Sequence, residues 1–171
     1  MLESGRLQLR GWRLDADDVE LVMTAAADPQ IRTYSSVGQA RSPDDARRWL
    51  EARDAVDRLD WVVELCGEPA GRVSLAHIDT SDGVAEFGYW LLAAHRGQGL
   101  AGEAVRLVES YAFDVLQLGR LEIRHDPANS ASCALAARCG YLAEGTARGA
   151  FVRGGRRLDL AVHARLASDR A

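Results

Sequence analysis

The chain has 171 residues, of which 47% are hydrophobic and 27% charged, and 21 basic against 25 acidic side chains leave a formal charge of −4 at pH 7. A chain of that size and composition buries about two thirds of the surface it exposes when unfolded, which excludes disorder and any need for a disulfide or metal staple. A slightly acidic chain exerts no general pull on nucleic acid or on an anionic membrane, so neither is expected as a partner, and an anionic ligand has to be held locally.

The first 13 residues carry Glu3, Arg6 and Arg10 and lack the apolar stretch of a secretory signal, and no run approaches the length of a membrane span, which points to the cytoplasm. Cys66, Cys133 and Cys139 are odd in number and show no CxxC spacing. They are expected to be buried or half-buried free thiols, in keeping with a reducing compartment.

Residues 6–14 (RLQLRGWRL) read as a first strand, with Leu7, Leu9, Trp12 and Leu14 among polar residues and Gly11 marking a bulge. Residues 15–18 supply cap and first-turn acids for a helix that passes through Val19, Leu21 and Val22 and stops near Asp28-Pro29. A second helix starts at Ser42-Pro43 and runs through Trp49, Leu50 and Val56. Residues 60–66, 70–78 and 84–92 then form an antiparallel meander with turns at Gly67-Glu68-Pro69 and Ser81-Asp82-Gly83.

From Gly99 to about Leu116 the period becomes helical, with Ala104, Val105, Val108, Tyr111, Ala112 and Val115 on one stripe. Residues 120–125 are a short strand. Strand, helix and strand in succession make 84–92 and 120–125 parallel neighbours joined by a right-handed crossover. Asn129 or Ser130 caps a small helix over 131–139, and Gly140 is its left-handed end. Tyr141 begins another strand, 148–157 is a turn rich in Gly and Arg, and Leu158 to Leu166 alternate as the last strand. No repeat or linker divides the chain, so residues 1–171 are read as one domain.

The chemistry concentrates in residues 95–104 (HRGQGLAGEA), between a strand and the best helix. Such a turn aims unpaired N–H groups and the positive end of a helix dipole at one point, and its glycines let a phosphate approach the backbone. A plain strand-to-helix turn would need one glycine where three stand. As a P-loop the segment fails, because Glu103-Ala104 replace the lysine and hydroxyl. As a dinucleotide fingerprint Gly97-x-Gly99-x-x-Gly102 matches, with Glu122 near the place of a ribose-binding acid. A doubly wound fold, however, would need further βαβ units around it.

Arg96-Gly97-Gln98-Gly99-Leu100-Ala101 resembles the coenzyme A signature of the GNAT N-acetyltransferases. Glu86-Phe87-Gly88-Tyr89-Trp90-Leu91, Asn129-x-x-Ser132 and Gly140-Tyr141 resemble its RimJ/RimL-like branch, which acetylates protein N-termini. The order of elements is also that family's, so the resemblance spans about 6–167. It implies an α+β fold: a mixed, mostly antiparallel sheet of about six to seven strands, with a central splayed parallel pair and flanking helices.

The resemblance further implies acetyl-CoA as cosubstrate, its pyrophosphate on Arg96, Gly97, Gln98, Gly99, Leu100 and Ala101, and its pantetheine arm paired with strand backbone near Trp90, Leu91 and Leu92. Asn129 either contacts that arm or caps the helix. Glu86 is the expected base, directly or through water, against the alternative of a structural ion pair with an arginine. Many relatives protonate the thiolate with a tyrosine at the position of Ala136; Ser132 takes that role here, unless it only serves the first helical turn. Tyr141 is expected in the core, and the four tryptophans as core or pocket wall.

The histidines, His77, His95, His125 and His163, show no ligand spacing, so no metal is expected. Arg148, Arg153, Arg156 and Arg157 are either a solvated hairpin or a clamp on an acidic acceptor or acyl group. The implied function is transfer of acetyl to a primary amine, foremost a protein or peptide α-amine, directly and without a covalent enzyme intermediate. A small amine (antibiotic, polyamine or amino acid) and a non-catalytic acyl-CoA-binding module are the alternatives, and a homodimer is left open.

Overall fold

Three short polar side chains turn the chain into its first helices. Asp15 accepts the Asp18 N–H at 3.0 Å and opens α1 (Ala16–Ala27), and Ser42 accepts the Asp45 N–H at 3.1 Å and opens α3 (Pro43–Glu51). Between them Asp28 ends α1 and also caps α2 (Pro29–Tyr34), accepting from Gln30 and Ile31. The sequence reads Asp28-Pro29 as a stop only. The same pair is a start, because proline at the first helical position gives up an N–H that has no partner there.

The structure, a computed structural model, describes residues 1–170. Its strands are β1 (Leu2–Ser4), β2 (Leu7–Arg10), β3 (Leu59–Leu65), β4 (Glu68–Asp79), β5 (Val84–Leu91), β6 (Arg120–His125), β7 (Leu142–Arg153) and β8 (Arg156–Leu166). They form one sheet in the order β1-β2-β3-β4-β5-β6-β8-β7, antiparallel except for β5 and β6. The count is eight against the expected six to seven, because residues 2–4 fold back on β2 around Gly5 as an extra edge.

The parallel pair is joined by α4 (Leu100–Asp114), and α5 (Ser130–Arg138) follows β6. The ladder between β5 and β6 ends at Phe87 opposite Ile123, although β5 continues to Leu91 along β4. The two strands therefore part at their C-terminal ends, as the resemblance implies.

Alternation along β5 divides its side chains between two cores. Ala85 and Phe87 pack with Leu100, Val105 and Val108 of α4, and with Tyr141, which lies edge-on to Phe87 at 6.2 Å. Trp90 points the other way, into a second core with Val22, Ile31, Leu50 and Val62 that Trp12 and Trp49 complete. Tyr141 and the tryptophans are thus packed as expected.

Several boundaries differ from the sequence reading. The first strand stops at Arg10, whose buried guanidinium pairs with Asp18 at 2.6 Å and leaves Leu14 exposed. Helix α3 ends at Glu51 and Val56 is fully exposed. The arginine-rich segment is mostly strand: β7 and β8 reach a two-residue turn at Gly154 and Gly155, both with positive φ. Of the cysteines only Cys139 is buried; Cys66 and Cys133 are exposed. No helix among the described residues is long and apolar enough to cross a membrane.

Candidate functional site

Two clefts flank the open end of the parallel pair. One, of about 800 Å³, runs from the loop before α4 to α5 and is lined by Trp90, Leu91, Arg96, Gly97, Gly99, Leu100 and Ala101, among others. The other, of about 310 Å³, lies between β4–β5 and the β7–β8 hairpin and includes Glu86. Tyr34, Ser35, Tyr89, Asn129 and Ser132 line both, so the clefts meet at these five residues.

The loop at the head of the larger cleft needs its glycines. Gly97 and Gly99 have φ of +74° and +79°, and Gly99 is the N-cap of α4 without a side-chain bond. The first intrahelical donor is Glu103, bonded to the Gly99 carbonyl at 3.1 Å. The N–H groups of Leu100, Ala101 and Gly102 therefore have no helical carbonyl to serve, at the positive end of a 15-residue helix. The cleft's size and these donors fit the pyrophosphate and pantetheine of coenzyme A.

Arg96 is a clasp. Its Nε donates to the Leu91 carbonyl at 2.9 Å and its Nη2 to Asp28 at 2.8 Å, fastening the loop to the tip of β5 and to the α1–α2 joint. Burial alone would raise the Asp28 carboxyl, but Arg96 and the Ile31 and Gln30 N–H groups outweigh it and hold it below the usual range. Gln98 and Leu92 do not line the cleft. The Gln98 amide donates to Ala94, and the Leu92 N–H is bonded to Ala70 of β4 at 2.9 Å while its side chain joins the second core. Two basic residues that the motif did not indicate, Arg106 and Arg138, are exposed on the wall of the larger cleft.

At the junction Asn129 caps α5, accepting the Ser132 N–H at 3.2 Å. The Ser132 side chain is buried beside the phenol of Tyr89. Burial pushes that phenol up to about 12, with only Ser132 pulling it back, so it keeps its proton at neutral pH. Tyr89 was legible only as part of the quoted strand motif. Ala136 is fully buried and carries no acid.

Glu86 stands on β5 opposite Glu122 of β6, and Arg124 approaches it only to 3.8 Å. Burial raises its pKa, and Arg124 and His77 oppose this incompletely. A carboxylate held this way is a better proton acceptor than a free one. Behind it Asp60 is saturated: it takes Arg72 at 2.5 Å, the Trp12 indole at 2.9 Å and Arg58 at 3.7 Å. Gly88 leaves the cleft floor open, since a Cβ there would come within 2.9 Å of Ser74 Oγ.

Of the four hairpin arginines, Arg153 alone lines this cleft, and it is latched to the Thr33 and Tyr34 carbonyls of α2. Arg157 bonds its own hairpin at the Gly149 carbonyl. The fold also gathers His125, Cys133 and His163, whose ligand atoms lie within 4.8 Å of one another, a group that no sequence spacing announces. The two rings stack at 5.1 Å with planes 23° apart, which keeps their in-plane lone pairs from meeting at one point. His125 Nδ1 lies 2.9 Å from the Asp126 carbonyl and must carry the proton there, leaving a buried Nε2 without a partner.

Comparison with known proteins follows the same lines. Residues 6–142 match the acetyltransferase (GNAT) domain family. The uncharacterized N-acetyltransferase p20 of Bacillus licheniformis is 30% identical over 165 residues, covering 93% of this chain and 92% of that one. The spermidine N(1)-acetyltransferase of Escherichia coli (strain K12) is 35% identical over 85 residues, or 50% of this chain and 46% of that one. Among solved structures, the RimL ribosomal alpha-N-protein acetyltransferase in complex with coenzyme A superposes with a TM-score of 0.84 at 23% identity, covering 95% of both chains.

Proposed function

Since the chain belongs to the GNAT acetyltransferase family, and is an N-acetyltransferase that uses acetyl-CoA, we propose that its acceptor is the α-amine of a protein or peptide N-terminus, acetylated directly with both substrates bound. The observation that carries this reading is the junction: a long cleft with an anion-binding head and a shorter cleft with a carboxylate meet at the hydroxyls of Tyr89 and Ser132.

Acetyl-CoA supplies an activated thioester. The residues of the chain then have three tasks. The loop 96–102 and the N-terminus of α4 hold the pyrophosphate, while the unpaired side of β5 beyond Phe87 offers backbone groups to the pantetheine amides. Glu86, directly or through water, takes the proton that the amine loses as its nitrogen bonds to the acyl carbon. Ser132 gives a proton to the sulfur as the carbon–sulfur bond breaks and recovers one from the neighbouring Tyr89 phenol, and the proton left on Glu86 is returned to that pair through solvent before the next turnover. No covalent enzyme intermediate is needed: no cysteine lines the acceptor cleft, and Cys139, on the wall of the larger one, is buried and its thiol is pushed up by that burial.

The modest volume of the acceptor cleft, about 310 Å³, favours as second reading a small amine such as an amino acid. A polyamine is disfavoured, because Arg53 and Arg153 line that cleft without a paired carboxylate and would repel a second ammonium. The test is a screen of N-terminal peptides, amino acids and polyamines, read as thiol release from acetyl-CoA with the product confirmed by mass. Acetylation of peptides at the α-nitrogen is expected, and turnover confined to polyamines would refute the proposal.

A further inference from the structure

The acceptor cleft has an unexplained cation. Arg53, just past the end of α3, lies half-buried with its guanidinium 4.5 Å from the centre of the Trp49 ring. It makes no side-chain hydrogen bond or ion pair among the described residues, and its Nε is buried without an acceptor. Leaving a buried guanidinium donor unmatched is unfavourable, and the usual resolution is a carboxylate. None is on hand: the nearby Asp60 already serves Arg72, Arg58 and Trp12.

The surroundings compound the demand. Of the five arginines that line the cleft, Arg58 and Arg72 are paired with Asp60 and Arg124 with Glu86, which leaves Arg53 and Arg153 without a carboxylate among the described residues. Arg53 feels this: burial and the charges of Arg72 and Arg58 lower its pKa to about 10. A flat guanidinium on an indole face keeps its edge donors in plane, ready for a bidentate carboxylate.

We infer that the acceptor carries a carboxylate near its amine, and that Arg53 receives it while the amine reaches toward Glu86 and the junction. This deepens the acetyltransferase reading above and rests on it. The carboxylate is either the acid of an amino-acid-like small molecule or an acidic side chain close to a peptide N-terminus. An anion seated there would satisfy the orphaned donors and offset the mutual repulsion of the arginines.

The test compares matched acceptors with purified full-length protein, read as thiol release from acetyl-CoA. One arm uses free amino acids against their amides, and the other uses peptides with Asp or Glu at the second or third position against Asn or Gln. Acids should be preferred about tenfold or more in kcat/KM in at least one arm, and which arm responds identifies the source. Arg53→Gln should raise KM for the acids by a similar factor, with kcat and the KM for acetyl-CoA near wild type. Arg53→Lys should recover part of the loss, and the unchanged acetyl-CoA KM shows that the variants are folded. Equal use of acids and amides, or a loss in Arg53→Gln that strikes both alike, would overturn the inference. Thiol release from none of these acceptors would overturn the reading of the acceptor as an α-amine and this inference with it.

Discussion

Arg96 and Asp28, 68 residues apart in the chain, meet at 2.8 Å and fasten the glycine loop before α4 to the residue that both ends α1 and begins α2. Asn is as good a helix cap as Asp, so Asp28→Asn removes the ion pair and spares the cap, whereas Asp28→Ala removes both. The Asn variant should bind acetyl-CoA several-fold more weakly and lose less than ~1 kcal/mol of stability, the Ala variant about 1 kcal/mol more. Because the folded carboxyl is held below its unfolded value, its contribution is fully present above the unfolded pKa and disappears as pH falls through the folded one. Melting curves of wild type and Asp28→Asn should therefore differ at pH 7 and converge in acid.

Glu86 has the opposite sign. Burial raises its folded pKa, so ionising it weakens the fold progressively as pH rises from the unfolded value through the folded one. Glu86→Gln should cut kcat by about 10²–10³ and remove the acid limb of the rate profile, yet melt higher than wild type at neutral pH. The gain should vanish below the unfolded pKa. A variant that kept its rate and pH profile would show that Glu86 is not the base.

Ser132→Ala should lower turnover about tenfold or more, with acetyl-CoA affinity near wild type, and Tyr89→Phe should do the same. The hydroxyls are neighbours, so the double variant should lose less than the product of the two single losses. Full multiplicativity in single-turnover rates would separate the roles.

Stability tests a different contact. Asp18 is fully buried and takes two bonds from Arg10, whose other partner is the half-buried Glu64. Asp18→Asn should cost about 3 kcal/mol and lower Tm by about 10 °C, measured by thermal and chemical denaturation, because it leaves a buried charge half matched.

The glycine loop was legible in the sequence because positive φ restricts residue choice: Gly97 and Gly99 announce a backbone shape wherever they stand. Helix caps at Asp15 and Ser42, and the left-handed end at Gly140, were readable for the same local reason. The convergence of Arg53, Arg58 and Arg72 on one cleft was not, since it depends on how the turn after α3 lies across β3 and β4. The extent of β7 and β8 also escaped, because the three glycines within 148–157 read as a turn although the ladder only bulges around Gly149 and the turn itself is confined to Gly154 and Gly155. The meeting of Tyr89 with Ser132 likewise needed the splay of β5 from β6, which no spacing encodes.

The end of the ladder at Phe87 has a bearing on the stability of the protein. Past that point β5 is an interior edge of the sheet, with backbone groups that no neighbouring strand covers. A molecule that lies along it stabilises the folded state by mass action, about 2.7 kcal/mol at a hundred times its dissociation constant. If acetyl-CoA is that molecule, the melting temperature of the chain should climb with its concentration.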